Sequence, residues 1–291
     1  MHDRSGMWSR VERFVRRHPV ASYVALTFAI SWGGLLVLVG PGHIVGTREE
    51  FERLVPIGIP VVALGPMLAS LLLTAYLDGR RGLRTLGARL ARWRVEGRWY
   101  AVALLLAPAY FLVVSLALSL WSRDFLPGIV TAPDRTSHLL FGLAGALVAG
   151  LVEELGWTGF ATPRLRRRFG PEVTGLVVGS VWGLWHVLPK VWGAAAHGVL
   201  AYLPQDLACA IVGLTGFRIL MVWVHDRTRS LLLAVLMHVG LTAATLVLTP
   251  LVTGGPLMTT SYVLAAVPWL FVAAVWMARH EGGAARAMHA S

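Results

Sequence analysis

Four ionisable side chains stand inside stretches that otherwise carry almost no charge. Glu153 and Glu154 lie side by side in the second half of an apolar run from His138 to Thr158. His186 lies in a run over 173–193, and His238 in one over 231–249. An ionised side chain in a membrane-length run is costly, and adjacent acids oppose each other's ionisation. Arg218, in the run 206–225, is a fifth candidate, with snorkelling towards the cytoplasmic face as its alternative. Each alone has an ordinary explanation: a histidine can serve as a packing hydrogen bonder, and an acid can pair with an arginine. Two acids and two histidines on three separate runs are harder to assign to packing.

Such a set has two chemical readings. A carboxylate kept from bulk water can act as general base on a water molecule, one histidine can orient that water, and a second can stabilise the oxyanion formed when water attacks an amide. Alternatively, Glu153, His186 and His238 are the ligands of a catalytic zinc with one open position. Zinc hydrolases often bring two histidines on one helix at close spacing, and these two lie on different runs, so the pattern leans towards metal-free chemistry. Both readings end in hydrolysis of a peptide bond within a membrane. The cofactor expectation is therefore none, or zinc.

These residues need a scaffold of membrane helices. The chain has 291 residues, of which 56% are hydrophobic and 14% charged, a membrane-protein composition with no second, polar domain. The single cysteine, Cys209, rules out an intramolecular disulfide and a multi-cysteine zinc site. The net charge of +11 would suggest nucleic acid in a soluble chain. Here the basic residues lie between apolar runs, so nucleic acid is rejected as a partner and the lipid bilayer is expected instead.

Eight candidate spans fall at about 20–40, 55–77, 99–122, 138–158, 173–193, 206–225, 231–249 and 259–278, each about 20 residues, the length that crosses a bilayer. Pro56, Pro60 and Pro66 should kink the first half of the second. The expected organisation is a basic segment over 1–19, an eight-span domain over 20–278 and a tail over 279–291. The first segment resembles an amphipathic lead-in. A signal peptide is its rival, disfavoured by the length of the apolar stretch from Val20 to Val39. Between the second and third spans, Leu83, Leu86, Leu90 and Trp93 recur at helical spacing among arginines, which suits an interfacial helix or a solvated basic loop.

Basic residues alternate between the connections. Twenty, including Arg80, Arg89, Arg164 and Arg227, share the N-terminal side; five, Arg48, Arg53, Arg123, Arg135 and Lys190, lie opposite. The positive-inside rule then puts both termini in the cytoplasm. Glu153 and His238 would sit roughly 7–11 Å below the cytoplasmic edge at 1.5 Å per residue, with His186 deeper. The fold class is thus all-α, a polytopic bundle in the cell membrane.

At the same residues the sequence resembles the CPBP family, the CAAX-protease and bacteriocin-processing membrane proteins, also called the Abi family. Its first motif, Glu-Glu-x-x-x-Arg, reads Glu153-Glu154-Leu155-Gly156-Trp157-Thr158, continuing into Gly159-Phe160 and Pro163-Arg164-Leu165. Its second, an aromatic and a histidine four residues later, reads Trp182 to His186, with Pro189 following. Its third, His-x-x-x-Asn, is matched by His238-Val239-Gly240-Leu241-Thr242. Phe28 to Gly33, Gly65-Pro66, Trp93-Arg94-Val95 and Arg98-Trp99-Tyr100 are also similar, so the resemblance covers about residues 20–250.

The resemblance implies an eight-helix intramembrane protease similar to the prenyl proteases that trim CAAX tails, some relatives being linked to bacteriocin maturation or immunity. It implies Glu153 as base, His186 and His238 as its partners, and Glu154 as a supporting acid. Two positions depart from the pattern. Thr158 stands where the family has the arginine that would neutralise Glu154 one turn away, so Arg218 or Arg164 is expected to take over that pairing. Thr242 stands where the family has asparagine; its hydroxyl still offers one donor to an oxyanion. Leu151, Val152 and Trp157 are expected to keep water from Glu153.

The leading expectation is an endopeptidase acting near the cytoplasmic face on a membrane-associated peptide or protein, with the question of lipidation open. Two alternatives remain. One is a binding or immunity scaffold of the same fold whose catalysis has decayed. The other is a proton-coupled transporter, disfavoured by the lack of internal repeats.

Overall fold

The computed structural model describes residues 4–288, with side chains over 10–279. Ten helices longer than two turns carry the chain, and no strand occurs among the described residues. They are α1 (Arg4–Arg17), α2 (Pro19–Val39), α3 (Arg48–Leu90), α4 (Gly97–Ser119), α5 (Arg135–Gly156), α6 (Pro171–Trp185), α7 (Val187–Ala196), α8 (Leu203–Thr228), α9 (Leu231–Leu248) and α10 (Gly255–Met288). Seven helical segments are long and apolar enough to cross a membrane, and the chain is a multi-pass membrane protein. Phe141, Leu147 and Leu151 of α5 stay exposed on the outside of the bundle, where lipid rather than water would meet them.

The expected fifth span, 173–193, is not one helix. It divides into α6 and α7 at His186, and neither piece is long enough to count as a span by itself. Pro189 supplies the cause, because it has no N–H to return to the carbonyl four residues earlier, that of Trp185. Trp32 Nε1 of α2 donates to this carbonyl instead, at 2.9 Å. The same exchange occurs in α3. Pro66 cannot serve the Val62 carbonyl, and Ser31 Oγ of α2 donates to it at 2.7 Å. Within a membrane such carbonyls need internal donors, and α2 provides both.

α3 keeps helical angles through all three of its expected kink sites, Pro56, Pro60 and Pro66. Its non-helical backbone is at Gly79, with φ 60° and ψ −156°, a conformation glycine tolerates. Residues 80–90 continue beyond that break as a helix in which Leu86 is buried, so the segment is helical; Trp93 lies past its end and is exposed.

Small residues bring the central helices close. Gly142, Ala146, Gly150 and Glu154 recur every four residues, so they share one face of α5. A Cβ on Gly142 would meet Val247 at 2.5 Å, and one on Gly150 would meet Val239 at 2.6 Å. α5 therefore lies against α9, with Glu154 at the end of the contact. On α6, Gly175, Gly179 and Gly183 face Ile219, Thr215 and Ile211 of α8 in the same way. This is the small-residue packing of membrane helices, where close backbone approach replaces the hydrophobic drive available in water.

Candidate active site

α5 does not stop after the two glutamates. Residues Trp157–Ala161 widen into a π-helical turn, and all five are buried. The turn ends with the Thr162 hydroxyl donating to the Trp157 carbonyl at 2.8 Å. Outer donors hold carbonyls in it and just before it: Arg89 reaches Gly159 at 3.2 Å, Arg164 reaches Phe160 at 3.2 Å, and Ser70 Oγ reaches Leu155, two residues ahead of the turn, at 2.7 Å. Such widened turns are frequent at functional sites. Here the turn begins three residues after Glu154 and is braced from α3.

Glu154 is fully buried and fully partnered. Arg218 of α8, itself inaccessible, donates from its two terminal nitrogens to the two carboxylate oxygens at 2.8 Å each. Thr158 Oγ1 donates to Oε2 at 2.5 Å, and His238 Nδ1 donates to Oε1 at 2.8 Å. Arg218 also reaches the Thr158 hydroxyl at 3.3 Å. Arg218 therefore does not snorkel; it takes the place of the cation missing at position 158. Arg164 does not compete, because it pairs with Asp78 at 2.5 Å.

Glu153 has a sparser environment. Trp182 Nε1 of α6 donates to Oε2 at 2.8 Å, and His238 Nε2 stands 4.0 Å from Oε1. Since Nδ1 of that ring already donates to Glu154, Nε2 is the nitrogen turned towards Glu153. Trp182 also offers its face to the Arg218 guanidinium, 4.2 Å from the ring centroid. One indole thus touches the site through its N–H and through its π face. Leu151 does not supply the expected screen, because it is 43% exposed on the outer face of α5. Positions one and two residues away on a helix point elsewhere. Trp157 is buried as expected, but the cover over Glu153 comes from α6 and α9.

His186 sits at the junction of α6 and α7. Its Nδ1 donates to the Trp182 carbonyl at 2.8 Å. A carbonyl can only accept, so the hydrogen is on Nδ1, and Nε2 of the neutral ring carries a lone pair. Pro189 forces the helix break that puts His186 at this terminus, in edge contact with Trp185.

Glu153, His186, His238 and Thr242 line one cavity of about 400 Å³ among α4, α5, α6, α8, α9 and α10. Tyr110, Phe111, Leu214, Leu241 and Leu264 make much of its wall apolar, and Lys190, paired with Asp206 at 2.7 Å, also borders it. Glu154 lies behind the wall. Cys209 contributes to the lining as a small buried side chain. Among the described residues, no group of three or more His, Cys, Asp and Glu side chains is arranged to hold a metal ion. Glu153, His186 and His238 share the cavity without being grouped as such a ligand set.

Trp182 was visible in the sequence only as the aromatic of a motif, and its N–H to Glu153 had no local signal. The every-fourth-residue small side chains of α5 and α6 were the signal that would have placed Glu154 and Trp182 at helix contacts.

The fold and site define a class: a polytopic helical membrane protein with a buried glutamate and histidine centre beside an apolar cavity. Residues 135–244 match the family model described as Rce1-like, type II CAAX prenyl endopeptidase. The matched stretch contains all three motifs and bears out the resemblance drawn from them, to a family of membrane proteases. No curated protein matches the chain.

Proposed function

We propose that the protein is an intramembrane endopeptidase in which Glu153 activates water without a metal. The observation that carries this reading is the unequal treatment of the two acids. Glu154 is saturated by Arg218, Thr158 and His238, while Glu153 borders the cavity with one donor on one oxygen. A saturated carboxylate is a structural anion; an undersatisfied one beside a cavity is suited to take a proton.

In the proposed reaction, water enters between Glu153 Oε1 and His238 Nε2, a gap of 4.0 Å that one water can bridge. Glu153 removes a proton and the resulting hydroxide attacks the peptide carbonyl carbon. His186 Nε2, an acceptor, holds the water's second hydrogen. The carbonyl oxygen becomes an oxyanion, which accepts from Thr242 Oγ1 and from His238 Nε2–H. Because Nδ1 is committed to Glu154, Nε2 can donate only while the ring carries both protons. Glu153 then returns its proton to the leaving amine nitrogen as the C–N bond breaks. The apolar cavity wall suits a hydrophobic segment of a membrane-associated substrate.

The test is cleavage of a peptide library by purified protein. Wild type should cut and Glu153→Gln should not, with both purifying and melting alike. The loss should be about 10²–10⁴-fold, typical of a missing general base. Wild-type rates from Glu153→Gln would replace this reading with that of a binding scaffold.

A further inference from the structure

A second concave site lies away from the glutamates, where the helix of residues 80–90 ends and the chain turns into α4. It measures about 600 Å³ and is lined by Thr85, Ala88, Arg89, Arg92, Trp93 and Arg94. Three guanidinium groups border it. The nearby acids are committed elsewhere: Glu96 pairs with Arg98, and Asp78 with Arg164. Among the described residues, no carboxylate pairs with Arg89, Arg92 or Arg94. Three cations that share a concavity repel one another unless an anion joins them.

The frame of this site is built. Ser230 Oγ, the N-cap of α9, donates to the Arg92 carbonyl at 2.6 Å, and Tyr100 Oη of α4 donates to the Trp93 carbonyl at 2.5 Å. Arg89 is anchored through one terminal nitrogen on the Gly159 carbonyl. Trp93 is 61% exposed, and the Arg94 guanidinium lies 5.1 Å from its ring centroid. An exposed tryptophan directly before a membrane span marks the headgroup level of a bilayer.

We propose that this pocket binds the phosphate of an anionic phospholipid headgroup. Arg92 and Arg94 donate to the phosphate oxygens, Arg89 closes the inner wall, and Trp93 lies among the glycerol and upper acyl groups. Arginine suits this ligand because its planar fork matches two phosphate oxygens at once. The lipid is favoured over a free anion by the position of the pocket beside the start of α4 and by the tryptophan at its rim.

The test uses the delipidated full-length protein in neutral detergent, with bound lipid counted by native mass spectrometry. Phosphatidylglycerol and phosphatidylcholine with the same acyl chains are titrated separately. Wild type should prefer phosphatidylglycerol, and Arg92→Gln/Arg94→Gln should weaken that preference by about tenfold or more, as expected for lost charge-assisted hydrogen bonds. Arg80→Gln/Arg84→Gln, on exposed positions outside the pocket, should keep most of it. Equal retention of the two lipids by wild type would overturn the proposal, as would equal losses in the two double variants, which would indicate a diffuse field. A phosphate arm separates the sources: millimolar inorganic phosphate should not displace the lipid, and displacement would assign the pocket to a free anion.

Discussion

Arg218 and Glu154, 64 positions apart in the chain, form a two-pronged ion pair with no solvent access to either side chain. The pair fixes more than itself. Glu154 also accepts a hydrogen bond from His238 Nδ1, so Arg218 indirectly sets which nitrogen of His238 looks at Glu153. Breaking such a pair leaves a buried charge alone and costs about 3–5 kcal/mol. Arg218→Ala should therefore lower the melting temperature strongly. Glu154→Ala, which strands the Arg218 guanidinium in the same way, should do so as well.

The same contact changes the expectation for Thr158. With Arg218 or Arg164 expected to serve Glu154, an arginine at position 158 would be expected from the sequence to be tolerated. In the packed site Thr158 is 2% exposed and its hydroxyl lies 3.3 Å from Arg218. A second guanidinium there would crowd and repel the first. Thr158→Arg should destabilise the wild type yet partly rescue Arg218→Ala, because either cation can serve Glu154. Thermal melts of the two single variants and the double variant read the coupling directly. Additive losses would mean that the two positions do not share Glu154.

Topology follows from the twenty-to-five asymmetry of basic residues. Reporter fusions at Gly46, Pro127 and Gly254 should read outside, and fusions at Gly87, Gly170 and the C-terminus cytoplasmic. The division of 173–193 into α6 and α7 bears on this. If the pair failed to cross, Gly254 would report from the cytoplasm.

Metal dependence has an equally direct readout. Glu153, His186 and His238 line a common cavity but are not grouped as a ligand set. Cleavage should persist at wild-type rate after exhaustive chelation, and elemental analysis of active protein should find less than stoichiometric zinc. Activity lost on chelation and restored by zinc would return the metal reading, with the site closing around the ion on binding.

What was legible in the sequence followed from local rules. Apolar run length marked the spans, and motif spacing marked Glu153, His186 and His238, which the fold brings to one cavity. The missing arginine at Thr158 pointed to Arg218, and the ion pair is there. What was not legible depends on partners distant in the chain. Pro189 was in plain view, but the break at His186 also needs Trp32 to take the orphaned carbonyl. Adjacency in the chain points to Leu151 as a screen for Glu153, whereas helix geometry turns Leu151 outward and leaves the contact to Trp182. Hydropathy treats a tryptophan as bulk; only the packed structure reveals which way its N–H points.

In the proposed reaction His238 and Thr242 together serve the oxyanion. His238 and Thr242 lie four residues apart on α9, one turn along the same face, and both border the cavity. With His238 Nδ1 held by Glu154, the ring can donate to an oxyanion only through Nε2. His238→Ala should therefore lower kcat roughly 10²–10³-fold with a smaller effect on KM, because an oxyanion donor acts mainly in the transition state. Thr242→Val keeps the shape and removes the hydroxyl, so it should also lower kcat while the protein melts normally. Thr242→Asn should match or exceed wild type, because an amide offers two N–H donors where threonine offers one O–H. Cleavage kinetics on one defined peptide decide the matter. If Thr242→Val keeps full kcat while His238→Ala loses it, the oxyanion is served by His238 alone; if both keep it, these residues only shape the cavity and the donors lie elsewhere.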